Sequence, residues 1–216
     1  LCTVLLLPMA SFLERLACRI IPDHTGNDSV PELDERLMAT PSVAMERCHE
    51  VTMKMGLTAV RATRNAMREL RKHEDKRAES IREDEQTADR YEDELGTYLV
   101  KLSARDLNQA DSRTLSILLH CINDFERISD HAINVAESAK ELHDKGLALS
   151  QESRTELAAY GKAVSDILDL TVSVFAADDT QKARGVEPLE EVIDNLAIEM
   201  RQRHIDRLRR GTCSRE

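Results

Sequence analysis

One stretch of this chain narrows what it can fold into more than any other. Leu115, Leu118, Ile122, Phe125, Ser129, Ala132, Ala136 and Ala139 follow one another in alternating steps of three and four. That spacing places every apolar or small residue on one stripe of a helix and matches left-handed packing against antiparallel neighbours. The second half of the stripe is small, so a neighbouring helix can come close. Gly146 stops this helix, and Asp111 or Ser112 is suited to cap its start.

The same periodicity recurs on both sides. A first helix reads from about Ser42 to Leu70, with Ala44, Cys48, Val51, Met55, Ala59, Ala62, Ala66 and Leu70 on its stripe. A second reads from Asp75 to Leu102 through Ile81, Ala88, Tyr91, Leu95, Tyr98 and Leu102. Asp84 occupies a stripe position there, where a carboxylate must be neutralised, paired or metal-bound. A fourth helix, capped by Ser150, carries Leu157, Tyr160, Val164, Ile167, Thr171 and Val174. A fifth begins near Asp179 and uses Val186, Leu189, Ile193, Leu196 and Met200 before Gly211.

Seven glycines and five prolines in 216 residues are too few for the turns of an all-β fold. The fold class is therefore all-α, an antiparallel helical bundle with short connections.

An offset of 105 residues maps Ala78, Ile81, Glu85, Asp89 and Tyr91 onto Ala183, Val186, Glu190, Asp194 and Leu196. Residues 42–146 then form one three-helix repeat. Residues 147–216 open a second, incomplete one. Upstream, Pro22, Gly26, Asn27, Asp28, Ser29 and Pro31 mark residues 22–41 as a linker. Residues 1–21 begin with thirteen uncharged, mostly apolar positions and continue through Glu14, Arg15 and Arg19. This is the pattern of the end of a transmembrane helix leaving the bilayer on the cytoplasmic side, or else of a buried or interfacial helix.

The net charge is −10, with 40 acidic against 30 basic residues, so nucleic acid is not an expected partner. Five scattered cysteines without a C-x-x-C pair read as reduced thiols. No Ser-His-Asp set, P-loop or dinucleotide fingerprint occurs, and no enzyme activity is expected. His120, His131 and His204 lack a partner histidine at ligand spacing, and Met45, Met53 and Met55 read as packing. The basic run Arg61, Arg64, Arg68, Arg71 and Lys72 is either a solvated face or a contact for anionic headgroups.

Three E-x-x-x-D pairs remain: Glu85/Asp89, Glu126/Asp130 and Glu190/Asp194. A four-residue step sets both carboxylates on one face, where they can share a hard cation through oxygen. Asn134 extends the second pair by one turn. A chain this acidic holds about seven such pairs by chance, most of them solvated. The recurrence of two pairs at equivalent repeat positions is what lifts them above that background.

The helix Asp124-Phe125-Glu126-Arg127-Ile128-Ser129-Asp130-His131-Ala132-Ile133-Asn134 resembles the signature E-R-x-x-D-x-x-x-N helix of PhoU domains. Glu190-Glu191-Val192-Ile193-Asp194-Asn195-Leu196 resembles the acidic helix of the second PhoU repeat, and Leu33–Pro41 resembles the membrane–PhoU junction of bacterial sodium/phosphate cotransporters. The resemblance implies a cytoplasmic PhoU-like regulatory domain of a sodium-dependent phosphate symporter. Its transmembrane core, which moves sodium and phosphate, would lie upstream, in the cell membrane, with residues after about 22 cytoplasmic. A soluble PhoU-type phosphate-signalling adaptor that binds a transporter or kinase is the alternative. The resemblance also implies pairing into a homodimer and a divalent or iron/zinc metal cluster. Its ligands would be Glu85, Asp89, Glu126, Asp130, Asn134, Glu190 and Asp194. The resemblance further implies a sixth helix with its own acidic motif after these five, without which one cluster site would be incomplete.

Overall fold

Residues 33–211 are described by a computed structural model, and among them every regular element is helical. The stretch read as the end of a transmembrane helix, residues 1–21, lies outside the described residues, as does most of the linker. No described helix is long and apolar enough to cross a membrane.

Three long helices form the core: α1 (Pro41–Glu69), α2 (Asp75–Ser103) and α3 (Gln109–Asp144). Each packs on the other two. All eight residues of the α3 stripe are buried, as its spacing requires. Met55, Ile81, Leu95, Leu99, Leu102 and Leu118 are its largest fully enclosed apolar side chains. Burying each contributes about 1.5–3 kcal/mol relative to leaving it exposed. Where the stripe turns small, Ala132 and Ala136 meet Ala62, Ala66 and Ile81 in one cluster. Gly56 marks another close approach: a Cβ there would stand 2.8 Å from Cζ of Phe125.

Local chemistry sets the ends, with two departures from the sequence reading. Helix α3 starts earlier than expected, because Asn108 rather than Asp111 or Ser112 is the cap. The Asn108 Oδ1 accepts from the Asp111 N–H at 2.8 Å, and Asn108 Nδ2 donates back to Asp111 Oδ2 at 2.8 Å. Gly146 ends it at φ 64, with the Leu147 N–H returning to the Leu142 carbonyl at 2.9 Å. The last helix also differs. Asp179 caps only a single turn (Thr180–Ala183), and the helix proper, α5 (Val186–Arg209), begins after Gly185. Thr180, where that single turn begins, lies 105 residues after Asp75, the first residue of α2.

Part of the stretch read as linker is docked. Residues Glu35–Ala39 form a 3-10 turn, Met38 is buried, and the Tyr98 hydroxyl donates to the Asp34 carbonyl at 2.9 Å.

Helix α4 (Gln151–Ala177) starts at Ser150, whose Oγ accepts from the Ser153 N–H at 3.1 Å. It lies against α1, and α5 lies against α4. Their stripes have the spacing expected, yet no residue of either helix is fully buried. Side-chain contacts tie them down. Phe175 stacks on His49 at 4.5 Å and meets Phe125 edge-on at 5.8 Å. Arg207 donates two 2.9 Å hydrogen bonds to the Glu156 carboxylate, which holds that carboxyl below its ordinary range.

Candidate functional site

Glu85 and Asp89 each sit beside a buried residue of the α2 stripe, Asp84 and Ala88. Glu126 and Asp130 sit in the same way beside Phe125 and Ser129 on α3. A residue one step off a buried stripe lies at the rim of the helix–helix groove. Since α2 and α3 pack together, the two acidic pairs line one groove. The half-buried pair Glu85 and Glu126 lies deeper, and Asp89 and Asp130 are exposed.

The electrostatics bear this out across the groove. Burial first, then repulsion from Asp89, Asp130 and Glu126, pushes the Glu85 carboxyl above its ordinary range. Asp89 is raised by burial, then by Asp130 and Asp93. Glu126 is raised by burial, then by Asp130, Glu92 and Asp89. Each carboxyl therefore feels carboxylates of the other helix, which only convergence of the two pairs produces.

The donor types suit a hard cation, which binds carboxylate oxygen. The side-chain positions do not form a closed set. Among the described residues, no three His, Cys, Asp or Glu side chains stand together so as to hold a metal ion. Asn134, one turn beyond Asp130, is exposed. Glu190 and Asp194 are exposed on α5, which packs chiefly on α4, and the structure does not bring them to the other four.

Asp84 resolves as one of the alternatives its buried position allowed. Arg61 grips it from α1 with Nε at 3.1 Å from both carboxylate oxygens and Nη2 at 2.6 Å from Oδ1. It is paired, and belongs to the core.

The sequence reading missed a second buried carboxylate. Leu70 was assigned to the α1 stripe, but the structure buries Glu69 and leaves Leu70 half-exposed. Glu69 accepts from His73 Nδ1 at 2.7 Å, from the Glu74 N–H at 3.1 Å and from Arg77 at 2.9 Å. His73 stacks obliquely on His143 at 4.7 Å, tying the α1–α2 connection to the end of α3. The spacing carried the signal: Ala59, Ala62, Ala66 and Glu69 continue the three-four alternation, whereas Leu70 breaks it. Cys48, another buried group, has its thiol pushed up to about 12 by burial, so it acts as a packing residue.

Residues 52–139 match the PhoU domain. All four groove carboxylates fall inside that match. The chain is also 22% identical over 154 residues to a phosphate-specific transport system accessory protein PhoU homolog of Clostridium acetobutylicum, covering 70% of this chain and 69% of that protein. It is 23% identical over 210 residues to YjbB of Salmonella typhimurium, which carries the name of an inorganic phosphate export protein. That alignment takes in 94% of this chain but spans only 38% of the Salmonella protein. No solved structure matches.

Proposed function

We propose that this chain is the regulatory PhoU-type part of a phosphate transport system, joined to a membrane core that moves phosphate with sodium. The observation that carries the regulatory reading is the acidic groove. Two E-x-x-x-D pairs from α2 and α3 face each other within the residues that match the PhoU domain. Support for attachment to a longer protein comes from the Salmonella alignment, in which nearly the whole chain corresponds to a minor share of a protein named for phosphate export. In this reading the bundle sits on the cytoplasmic side of the cell membrane and acts on its own transporter core. A free-standing adaptor is the second reading, favoured by the Clostridium relative, an accessory protein covered over 69% of its length.

The groove would take up a divalent or iron/zinc ion only after Glu85, Asp89, Glu126 and Asp130 turn further toward one another, and binding would relieve the repulsion between them. Loss of metal stoichiometry on joint Glu126→Ala and Asp130→Ala substitution is the expected result, and unchanged stoichiometry removes the ligand assignment.

The functional test is to sequence the gene upstream of the Leu1 codon and measure phosphate flux with and without residues 33–211. A frame that continues through apolar spans, with sodium-dependent flux altered by the deletion, supports the attached domain. A nearby start codon, with co-purification of a separately encoded transporter, supports the adaptor. Unaltered flux without a transporter partner removes both readings.

A further inference from the structure

The basic run along the end of α1 and just past it does not behave as one face. Arg61 is taken up by Asp84, and Lys72 pairs with Glu74 at 3.0 Å. Arg64 turns toward α4, donating to Ser165 Oγ at 3.2 Å and pairing with Asp169. That leaves Arg68 and Arg71. The Arg68 guanidinium donates to the Asn65 amide oxygen at 3.2 Å, and Arg71 makes no ion pair or hydrogen bond through its side chain among the described residues.

Both line a cleft of about 550 Å³ between α1 and α4. Its walls carry four cations, Arg64, Arg68, Arg71 and Lys162, against one carboxylate, Asp169, which Arg64 already engages; Lys162 pairs with Asp166 on its own helix, so Arg68 and Arg71 are the two left without a carboxylate partner. The rest of the lining is largely apolar or small, including Met67, Leu157, Ala158, Gly161, Val164 and Leu168. Such a concentration of positive charge stands out in a chain of net charge −10. Two guanidiniums one turn apart without a carboxylate partner hold back their strongest hydrogen bonds for an anion. Planar guanidinium forks match phosphate oxygens in pairs, and the volume falls within the range of small-molecule sites.

We propose that this cleft is a binding site for an organic phosphate. Its phosphate oxygens are held by Arg68 and Arg71, the Lys162–Asp166 pair stands on the opposite wall, and its less polar body rests against Met67 and Leu157. None of the groove carboxylates lines the cleft, so the site stands independently of the acidic groove and of its metal. The phosphate can belong to a soluble nucleotide or to a phospholipid headgroup. The chemistry of recognition is the same.

Two binding measurements decide the matter on the intact chain: calorimetric titration with ATP and with tripolyphosphate, and co-sedimentation with phosphatidylglycerol vesicles. Each guanidinium is expected to contribute about tenfold in affinity, so R68A/R71A should weaken binding by about a hundredfold. K162Q, which changes the opposite wall and frees Asp166, should weaken it by up to about tenfold. R113A, an exposed charge on α3 outside the cleft, should leave it unchanged. Titration by the soluble phosphates with this variant pattern establishes the site and a soluble ligand. Vesicle binding alone with the same pattern establishes the site and a headgroup ligand. Absence of both, or binding that R68A/R71A and K162Q leave intact, overturns the proposal. Arg68, Arg71 and Lys162 are at the surface, and helical circular dichroism of each variant verifies that the bundle is retained.

Discussion

Replacing Glu69 with alanine probes the least expected feature of the bundle. The Glu69 side chain is fully enclosed and accepts three hydrogen bonds at the point where α1 gives way to α2. Losing all three does not strand every donor. Arg77 keeps Glu74 Oε2 at 2.7 Å and the Lys72 carbonyl at 2.9 Å, whereas His73 keeps Asp75 only through Nε2, at 3.2 Å, and its Nδ1 loses its partner. The Glu74 N–H loses the carboxylate that holds it. A hydrogen bond to a charged group contributes about 1.5–3 kcal/mol, and partial compensation leaves about 2 kcal/mol of net loss for the set. The removed methylene adds about 0.8 kcal/mol. The total is about 3 kcal/mol, which for a chain of this size lowers the melting temperature by about 6–12 °C. Thermal melts followed by circular dichroism measure it. Glu69→Gln, which retains one carbonyl acceptor, should fall between the two. Amide exchange across residues 70–74 should accelerate in E69A before the bundle opens globally. A melting temperature within 2 °C of the parent, with unchanged exchange in that connection, would refute the view that a buried carboxylate organises this end of the bundle.

Three further outcomes test the same physics elsewhere. Burial and mutual repulsion raise the Glu85 and Glu126 carboxyls in the folded chain, so their contribution to stability is full below the unfolded value near pH 4 and is lost as pH climbs through the raised folded values. The double variant E85Q/E126Q should therefore melt higher than the parent at pH 7 and lose that advantage at about pH 4; an advantage that grows on acidification contradicts the convergence of the two pairs. Arg61→Ala strands Asp84, which is 4% exposed, and should lower stability in urea titration by about 2–4 kcal/mol, whereas the joint change R61M/D84L should lose less. Gly56→Ala forces Phe125 aside at a cost of about 1–3 kcal/mol against about 1 kcal/mol gained in helix propensity; a net gain in stability would show that Phe125 yields freely.

How much was legible depends on whether the information is local. Periodicity alone located α1 within one residue at each end, placed the α3 stripe completely, and identified Ser150 and Gly146 as helix signals. Each of these depends on residues within a turn or two of one another. The start of α3 was misplaced because two Asx side chains compete for one cap, and Asn108 wins by reciprocal bonding with Asp111. The last helix was placed too early because Asp179 caps a turn that Gly185 then separates from α5.

The sequence by itself determined the bundle, its three-four stripes and the three acidic pairs, each on a single helix face, since helical geometry converts spacing into position. Only the tertiary structure decided what those faces meet. It set Glu85 and Asp89 of α2 against Glu126 and Asp130 of α3 while leaving Glu190 and Asp194 on the surface of α5. It likewise divided one basic run among Asp84, Asp169 and an open cleft. Charges on one helix have no fixed meaning until a second helix arrives, because Coulomb energy and desolvation depend on distances between residues far apart in the chain.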